Sequence, residues 1–346
     1  MKIFTVATVS YLYQVEVLFA SLRKIHPECR LALILADCSD QLRKEVCGIL
    51  DDCVDVLTCE DLEIDDLRFM RLYYSALEFC SAIKVLGLRH FLKDEEVCMF
   101  LDPDIVVFNR LDEAVFNLKG EIAISVHSHS PFPEDGDSPN DREPCLAGHI
   151  NGGILLARKA PHGMQILDWL ASKTRCQWFV APKLGMYADQ QWLSALPYFF
   201  RESTSVILDK GVNVAYWNLH ERLLRKNESG RILVNEETTL KCFHFSGFPP
   251  SNKSGLTIHS TRKFSEQTQL TVDELIKKYK IELDAARKKY AGLRGDLQFS
   301  KLSLHARIRK AEKYWGPHPS LITSIGINDV IKRVINKIKI SIGGER

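Results

Sequence analysis

Two carboxylates two positions apart follow a wholly apolar short segment. Asp102 and Asp104 flank Pro103 directly after Val97-Cys-Met-Phe-Leu101. Open α/β sheets bind ligands at the carboxyl ends of their strands, so both side chains can face one divalent cation there. Hard oxygen ligands of this kind suit Mg²⁺ or Mn²⁺ that is held partly by a diphosphate. Because Asp-Pro also starts ordinary turns, the pair alone favours a turn over a metal site.

An amide followed by two glycines is a second candidate. Asn151, Gly152 and Gly153 introduce a predicted buried strand. Glycines at such a position let the backbone approach a ligand closely. These three residues therefore shift the balance towards a ligand site.

Three further polar residues stand at predicted element ends. Asp189 and Gln190 open a predicted helix, and His244 lies between two phenylalanines at a predicted strand end. The helix dipole alone also favours an acidic residue at a helix start. A histidine beside aromatic rings is more often structural than a ligand, although His244 would complete a metal site.

These residues must be positioned by a sheet covered with helices. The first 110 residues alternate between strand-like and helix-like segments, which is typical of an α/β fold with a mostly parallel sheet. The predicted strands cover 3–7, 31–36, 97–101, 121–126, 149–158, 205–208 and 231–234, and the predicted helices cover 15–25, 67–92, 161–173 and 188–196. Four prolines and five acidic residues between 127 and 149 predict a long exposed loop.

Composition excludes several classes of protein. The chain of 346 residues is 45% hydrophobic and 26% charged, which argues against a disordered or collagen-like protein. A net charge of +2 gives no reason to expect binding to nucleic acid. Residues 265–346 nevertheless carry 17 Lys and Arg against 9 Asp and Glu, whereas residues 1–264 carry 29 against 35. An acidic body is therefore followed by a basic tail.

The cysteines and the N-terminus bear on location. The ten cysteines form no Cys-x-x-Cys pair, which favours reduced thiols in the cytoplasm. The first residues read as a strand rather than a signal peptide. No stretch approaches the roughly 18 uncharged apolar residues that span a bilayer. We therefore expect a cytoplasmic protein whose membrane contact, if any, is peripheral.

In this order and spacing the motifs resemble those of nucleotide-sugar glycosyltransferases with the GT-A fold, above all the family 8 retaining enzymes and bacterial surface-polysaccharide and lipopolysaccharide glycosyltransferases. The resemblance is carried by Val6-Ala-Thr-Val-Ser-Tyr11, Ser81-Ala-Ile-Lys84, Leu101-Asp-Pro-Asp-Ile-Val-Val107, Ile150-Asn-Gly-Gly-Ile-Leu-Leu156, Ala188-Asp-Gln-Gln-Trp192 and His244-Phe-Ser-Gly247. It implies a GT-A catalytic domain, with a Rossmann-like, mostly parallel sheet, at 1–262. A basic helical extension would follow at 263–346.

The resemblance also implies roles for the matching residues. The implied ligands of Mn²⁺ or Mg²⁺ are Asp102, Asp104 and His244. The implied catalytic residues are Asp189, Gln190 and Asn151. The implied donor-binding residues are Ala7, Thr8, Tyr11, Arg71, Lys84, Asp102, Gly152, Gly153, Gly247 and Lys253, with Tyr11 stacking on the base. Lys84 could equally be a surface lysine of its helix.

Two departures from the family pattern concern the donor. The family 8 pattern has an acidic residue near Thr8 that reads uracil, and its late motif continues from the glycine to Lys-Pro-Trp. This chain has no acidic residue in Val6-Ala-Thr-Val-Ser-Tyr11, and its late motif reads Gly247-Phe-Pro-Pro-Ser-Asn-Lys253. The resemblance still implies transfer from a UDP-hexose to a glycan or lipid-linked hydroxyl, with retention, in cell-surface polysaccharide synthesis. Inversion would require a general base, for which Asp141 and Glu143 are candidates.

Two other functions stay open. His127, His129 and His149 could form the zinc site of a hydrolase, although exposed loop histidines are the simpler explanation. The chain could instead be a non-catalytic module that binds a sugar or nucleotide and docks on a partner through its basic tail.

The basic tail ends in a predicted amphipathic helix. Ile327, Ile331, Val334, Ile335, Ile338 and Ile342 share one face, with Lys and Arg beside them. Such a helix can lie on the anionic inner face of the cell membrane, or it can close the protein core. The sequence favours neither over the other.

Overall fold

The computed structural model describes residues 1–182, 185–249, 255–303 and 306–307. The described strands are Lys2–Ala7 (β1), Arg30–Leu35 (β2), Val54–Thr58 (β3), Val97–Leu101 (β4), Ile105–Val107 (β5), Ile122–Val126 (β6), Ile150–Arg158 (β7), Val180–Ala181 (β8), Met186–Tyr187 (β9), Thr204–Ile207 (β10), Leu224–Lys226 (β11), Ile232–Val234 (β12), Thr238–Thr239 (β13) and Cys242–His244 (β14). The described α-helices are Leu12–Ile25 (α1), Asp40–Cys47 (α2), Leu67–Tyr73 (α3), Ala76–Phe91 (α4), Arg142–Ala147 (α5), Pro161–Thr174 (α6), Asp189–Ser194 (α7), Leu196–Phe199 (α8) and Glu266–Lys289 (α9).

Seven strands form the central sheet, in the order β10-β6-β7-β4-β1-β2-β3. β1 runs parallel to β2 and β4, β2 to β3, and β10 to β6. Within this sheet β7 runs antiparallel to both of its neighbours, β4 and β6. The predicted α/β fold with a mostly parallel sheet flanked by helices is confirmed. We call the end of the sheet where β1, β2 and β4 finish the carboxyl edge.

Alternating side chains of the inner strands pack into two hydrophobic cores, one on each face of the sheet. Phe4 and Ile34 face the core under α4 and α6, whereas Ile3 and Leu33 face the core under α1 and α2. Each such buried aliphatic or aromatic side chain contributes roughly 1.5–3 kcal/mol relative to exposure. Because both faces are covered, the inner strands are almost continuously apolar, which is why sequence analysis finds them.

The predicted helix 67–92 is wrong, because the chain forms two helices there. Tyr74 adopts an extended conformation between α3 and α4. Ser75 then caps α4: its hydroxyl oxygen accepts from the backbone N–H of Glu78 at 3.4 Å, and a Glu78 carboxylate oxygen accepts from the backbone N–H of Ser75 at 2.9 Å. This capping box is a helix-start signal that was present in the sequence.

The loop 127–149 is more ordered than its composition predicts. It contains α5, and Phe132 within it is buried. Asp141 accepts from the backbone N–H of Phe132 at 3.0 Å, and Glu143 accepts from that of Asn140 at 2.7 Å. Both proposed general bases therefore hold the loop together through backbone contacts.

α9 packs on the body of the protein. It contacts α1 and β11, and the Tyr279 ring stacks on Phe245, next to β14, with 3.9 Å between centroids. The predicted stripe is confirmed for Val272 and Leu283, which are buried. The boundary at residue 262 stays a prediction, and the predicted helix with the stripe Ile327 to Ile342 lies outside the described residues.

The chain after α9 returns to the carboxyl edge. We call residues 293–303 and 306–307 the C-terminal strap. The backbone N–H of Asp296 donates to the carbonyl oxygen of Asp37, directly after β2, at 3.0 Å. Arg307 forms a buried ion pair with Glu78 of α4. The strap thus ties the loop after β2 to the start of α4.

All ten cysteines are free thiols, as the sequence predicts. In the part of the chain that the structure describes, no helix is both long enough and apolar enough to cross a membrane.

Candidate functional site

The site begins where β4 ends and β7 starts. Because the two strands are antiparallel, Ile154 pairs with Leu101. The backbone N–H of Asp102 donates to the carbonyl oxygen of Gly153 at 2.8 Å. The predicted segments 102–104 and 151–153 therefore lie side by side at the carboxyl edge.

His244 reaches the aspartates through the pairing of β14 with β5, in which it stands opposite Ile105. Its Nε2 lies 3.0 Å from Oδ1 of Asp104 and 3.8 Å from Oδ2 of Asp102. The imidazole is buried, whereas the two aspartate side chains are 23% and 21% exposed. The cluster therefore opens to solvent on its carboxylate side, where a ligand can enter.

The three side chains fit a divalent cation. One ligand atom from each of Asp102, Asp104 and His244 lies within 4.8 Å of the other two. Carboxylates suit Mg²⁺ and Mn²⁺, and an imidazole ligand suits a transition metal such as Mn²⁺ better than Mg²⁺. A Cβ on Gly153 would lie 2.5 Å from Cε1 of His244, so glycine is required for the strand to pass the imidazole.

The two aspartates differ electrostatically. Burial raises the pKa of Asp102, and the charges of Lys84 and His244 oppose this only in part. Burial alone would also raise the pKa of Asp104, but the charge and hydrogen bond of His244 outweigh burial and lower this pKa. Asp104 is therefore the carboxylate that ionises more readily.

Lys84 of α4 connects the aspartate pair to Asp189. Its Nζ lies 3.0 Å from Oδ1 of Asp102 and 3.3 Å from Oδ2 of Asp189, and it donates to the carbonyl oxygen of Gly152 at 3.1 Å. Burial lowers the pKa of Lys84, but the charges of the two carboxylates outweigh burial and raise it. The alternative that Lys84 is a surface lysine is wrong, because its side chain is 12% exposed.

Asp189 lies against the backbone of β7. A Cβ on Gly152 would lie 1.8 Å from Oδ2 of Asp189, so the carboxylate occupies the space that a side chain would need. The preceding Ala188 has φ 47° and ψ −121°, a positive-φ conformation that residues other than glycine rarely adopt, and the chain turns into α7 there. Gln190 points elsewhere: its Nε2 donates to the carbonyl oxygen of Ala147 at 3.0 Å. The structure therefore brings Asp189 to the cluster, while the Gln190 amide holds the end of α5.

The residues predicted to bind the base lie at the end of β1. Ala7 and Thr8 are buried there, and the following turn carries Tyr11, which is 50% exposed. Burial raises the pKa of Tyr11, with a smaller contribution from the charge of Asp104. A half-exposed ring near the aspartates is available to stack on a flat ligand.

The other predicted donor-binding residues lie outside the cluster. Arg71 pairs with Glu60 at 3.0 Å. Gly247 has φ 65°, and a Cβ there would lie 2.2 Å from Cδ2 of His259. Lys253 lies outside the described residues.

Sequence analysis missed one residue at the centre of the site. Asn213, in the loop after β10, is fully buried, and its Oδ1 lies 3.1 Å from Nδ1 of His244. Its Nδ2 donates to Oδ1 of Asn151 at 3.0 Å. The available signal was a single amide between Val212 and Val214 in an apolar run.

The histidines of the zinc alternative do not converge. His127 is half-buried and His149 is exposed, while the backbone N–H of His129 donates to Glu221 at 2.9 Å. Within the described ranges, two groups are close enough to share a metal ion: Asp102–Asp104–His244 and His26–Glu28–Cys29. The geometry therefore gives the zinc alternative no support.

Comparison with known proteins gives distant similarities. No protein-family model matches the chain. The chain is 23% identical over 255 residues to the uncharacterized protein YfnF of Bacillus subtilis (strain 168), a match that covers 70% of this chain and 80% of that protein.

Several solved structures are similar at low scores. Galactosyltransferase LgtC in complex with donor and acceptor sugar analogs is 18% identical with a TM-score of 0.42, covering 62% of this chain and 76% of that chain. Glycosyltransferase GlyE of Streptococcus pneumoniae TIGR4 is 14% identical with a TM-score of 0.46, covering 87% of this chain and 65% of that chain. Mouse xyloside xylosyltransferase 1 is 14% identical with a TM-score of 0.43, covering 72% of this chain and 99% of that chain. Because these scores are below 0.5, we base the function on the residues of the site.

Proposed function

We propose that the chain is a metal-dependent glycosyltransferase with the GT-A fold. It transfers a sugar from a nucleoside-diphosphate donor, UDP-hexose, to a hydroxyl group of a glycan or lipid-linked acceptor, with retention of configuration. The observation that supports this proposal is the convergence of Asp102, Asp104 and His244 with Lys84 and Asp189 at the carboxyl edge.

The metal and the basic side chain act on the leaving group in this proposal. Mn²⁺ or Mg²⁺ held by Asp102, Asp104 and His244 would neutralise charge on the departing nucleoside diphosphate. Lys84 adds a second positive charge beside Asp102, and its ammonium holds the Asp189 carboxylate in place. The chain thus offers positive charge where negative charge develops.

The donor sugar is proposed to lie against the glycines of β7. Because Gly152 and Gly153 carry no side chain, Asp189 and His244 lie directly against the β7 backbone, and the sugar would lie beside these two side chains. Asp189 stands beside Gly152 and can stabilise positive charge that develops at the anomeric carbon, as carboxylates do in glycosidases. A module that only bound a nucleotide sugar would need the metal ligands but not this additional carboxylate.

Base binding and location complete the proposal. Ala7, Thr8 and Tyr11 bind the nucleotide base, which is supported by the half-exposed Tyr11 ring. The basic extension brings the enzyme to the inner face of the membrane for cell-surface polysaccharide synthesis. This location is supported by the charge of residues 265–346, which carry 17 Lys and Arg against 9 Asp and Glu.

A screen of nucleotide sugars with Mn²⁺ tests the function. We expect one donor to raise the melting temperature only when the metal is present, because ligand binding stabilises the folded state by mass action. With an acceptor, the same donor should release free nucleoside diphosphate. Asp104→Ala should lower that release at least roughly 100-fold with little change in melting temperature.

The exposed Asp52→Ala is the matched control, and it should keep wild-type turnover. Near-normal turnover in Asp104→Ala would refute the metal-dependent mechanism. Donor binding without release of nucleoside diphosphate would indicate the non-catalytic module instead.

A further inference from the structure

We infer that Asn213 is a positioning residue that sets which nitrogen of His244 faces the metal. This inference rests on the proposed function, since it concerns the ligand set Asp102–Asp104–His244. Asn213 holds a proton of His244 on Nδ1, so Nε2, the nitrogen that faces the two aspartates, is the one that can bind a metal.

The donors of the Asn213 amide are both engaged. Its Nδ2 donates to Oγ of Ser125 and to Oδ1 of Asn151, each at 3.0 Å. An amide has two donor hydrogens, so these contacts account for both. The remaining group, Oδ1, is an acceptor, and it lies 3.1 Å from Nδ1 of His244.

The opposite orientation of this amide is unfavourable. The Oδ1 of Asn151 already accepts the backbone N–H of Gly153 at 3.0 Å, so Asn151 presents an acceptor to Asn213. Turning the Asn213 amide would place its oxygen against that acceptor and its NH₂ against His244. A buried donor or acceptor without a partner costs about 1–3 kcal/mol, which opposes this arrangement.

The orientation of the Asn213 amide determines which nitrogen of His244 is the donor. Because Oδ1 of Asn213 can only accept, Nδ1 of His244 must be the donor in their contact. The lone pair for a metal is then on Nε2, the atom 3.0 Å from Asp104 and 3.8 Å from Asp102. Metal-binding histidines are commonly held in one tautomer by such a partner on the other nitrogen.

The surroundings of Asn213 fix its own position. The residue is fully buried and has φ 56°, a left-handed conformation that asparagine tolerates better than most residues. Its backbone carbonyl oxygen accepts from Nδ2 of Asn218 at 3.0 Å. Asn218 also donates to the carbonyl oxygen of His127 at 3.1 Å. Asn213 therefore joins the metal ligand His244 to Asn151, the residue proposed to lie beside the donor sugar.

Two variants separate the two contacts. Asn213→Gly accepts the backbone conformation but removes both contacts, so we expect Mn²⁺ affinity to fall about 10- to 100-fold in calorimetric titration. Asn213→Asp keeps an acceptor for Nδ1 of His244 but loses the donor to Asn151. It should keep Mn²⁺ affinity within about 3-fold while the KM for the donor rises. Asn235→Gly is the matched control, because Asn235 has φ 53° in a turn away from the site.

Nitrogen-15 NMR of the histidine rings in metal-free protein tests the inference without any metal. We expect Nδ1 of wild-type His244 to carry a proton, whether or not Nε2 beside Asp104 carries one too, and the protonated share of Nδ1 to fall in Asn213→Gly. A wild-type His244 without a proton on Nδ1, or Asn213→Gly binding Mn²⁺ like the wild type, would overturn the inference. If Asn213→Gly does not fold, the wild-type spectrum and the Mn²⁺ affinity of Asn213→Asp still test the inference.

The proposed function can fail separately. If the wild type bound no Mn²⁺, or bound it without turning over any donor, the glycosyltransferase proposal would be wrong. The His244 spectrum would still report whether Asn213 sets the tautomer.

Discussion

At the scale of single residues, the half-buried His127 and the buried His244 show how neighbouring groups decide the direction of a pKa shift. The ring of Trp217 lies between them, with centroids 5.4 Å from His127 and 5.1 Å from His244. Burial lowers the pKa of His127 to about 4. Burial acts the same way on His244, but the charge and hydrogen bond of Asp104 outweigh it and raise its pKa. The carboxylate next to His244, rather than depth in the protein, accounts for the opposite directions.

The lowered pKa of His127 predicts a loss of stability in acid. The unfolded chain, with a pKa of about 6.5, binds more protons than the folded protein between pH 6.5 and 4. The free energy of unfolding that His127 contributes is fully present above pH 6.5. It decreases as the pH falls towards about 4, by about 3 kcal/mol in all. Urea unfolding from pH 7 to 4 should show this slope in the wild type and a flatter one in His127→Gln. His149→Gln, at an exposed position, should keep the wild-type slope; equal slopes in all three proteins would contradict the prediction.

At the scale of elements, the reversed strand β7 builds the site. A parallel strand would place its carboxyl end at the carboxyl edge, whereas β7 brings its first residues there. Those first residues are Asn151, Gly152 and Gly153, and each contacts a site residue or its support. One reversal in the sheet therefore lets a single strand deliver an amide and two side-chain-free positions next to Asp102.

This arrangement predicts that Gly153→Ala is damaging. The added Cβ would meet Cε1 of His244 at 2.5 Å and Oδ1 of Asn151 at 2.8 Å, and β7 is held by pairing on both sides. We expect the free energy of unfolding to fall by about 1–3 kcal/mol and Mn²⁺ binding to weaken. Gly48→Ala is the control, since its Cβ would make an ordinary contact at 3.5 Å with the backbone of Glu45. Unchanged stability and metal binding in Gly153→Ala would show that the strand can move.

The elements that sequence analysis predicts best are those with a strong apolar pattern. β4 was predicted at its observed bounds because all of its residues are buried or nearly so. α2 and β3 were missed, since α2 begins Asp-Gln-Leu-Arg-Lys and shows little apolar surface. Asp102, Asp104 and His244 were predicted as a group from the family resemblance. Asn213 was not, because its role depends on the path of the loop after β10, which no local pattern encodes.

At the scale of the whole molecule, the near-neutral charge conceals two unlike parts. The acidic body carries the carboxylates of the site, and the basic residues follow it. The two parts are nevertheless physically joined, because α9 packs on α1 and the C-terminal strap reaches the carboxyl edge. The strap contacts Asp37, whose Oδ1 accepts the backbone N–H of Val9 in the turn that carries Tyr11.

The ion pair of the strap should matter for stability. Glu78 is 1% exposed and Arg307 is 7% exposed, so removal of the guanidinium leaves a carboxylate buried without its cation. We expect Arg307→Met to lower the free energy of unfolding by about 3–5 kcal/mol, measured in urea. Combining it with Glu78→Gln should restore part of the loss. Arg294→Met, at an exposed position of the same strap, is the control, and equal stability of the two single variants would refute the prediction.

The strap also affects when the protein can finish folding during synthesis. Arg307 is 229 residues from Glu78, and Asp296 is 257 residues from Ser39, to whose backbone N–H it is hydrogen-bonded at 2.8 Å. Neither contact can form until most of the chain has left the ribosome, and contacts between such distant residues form slowly. The strands and their helices can assemble earlier, but the end of the sheet that carries the site is completed last. A nascent chain stalled before residue 296 would therefore hold the aspartates, glycines and His244 at an edge that still lacks its final covering.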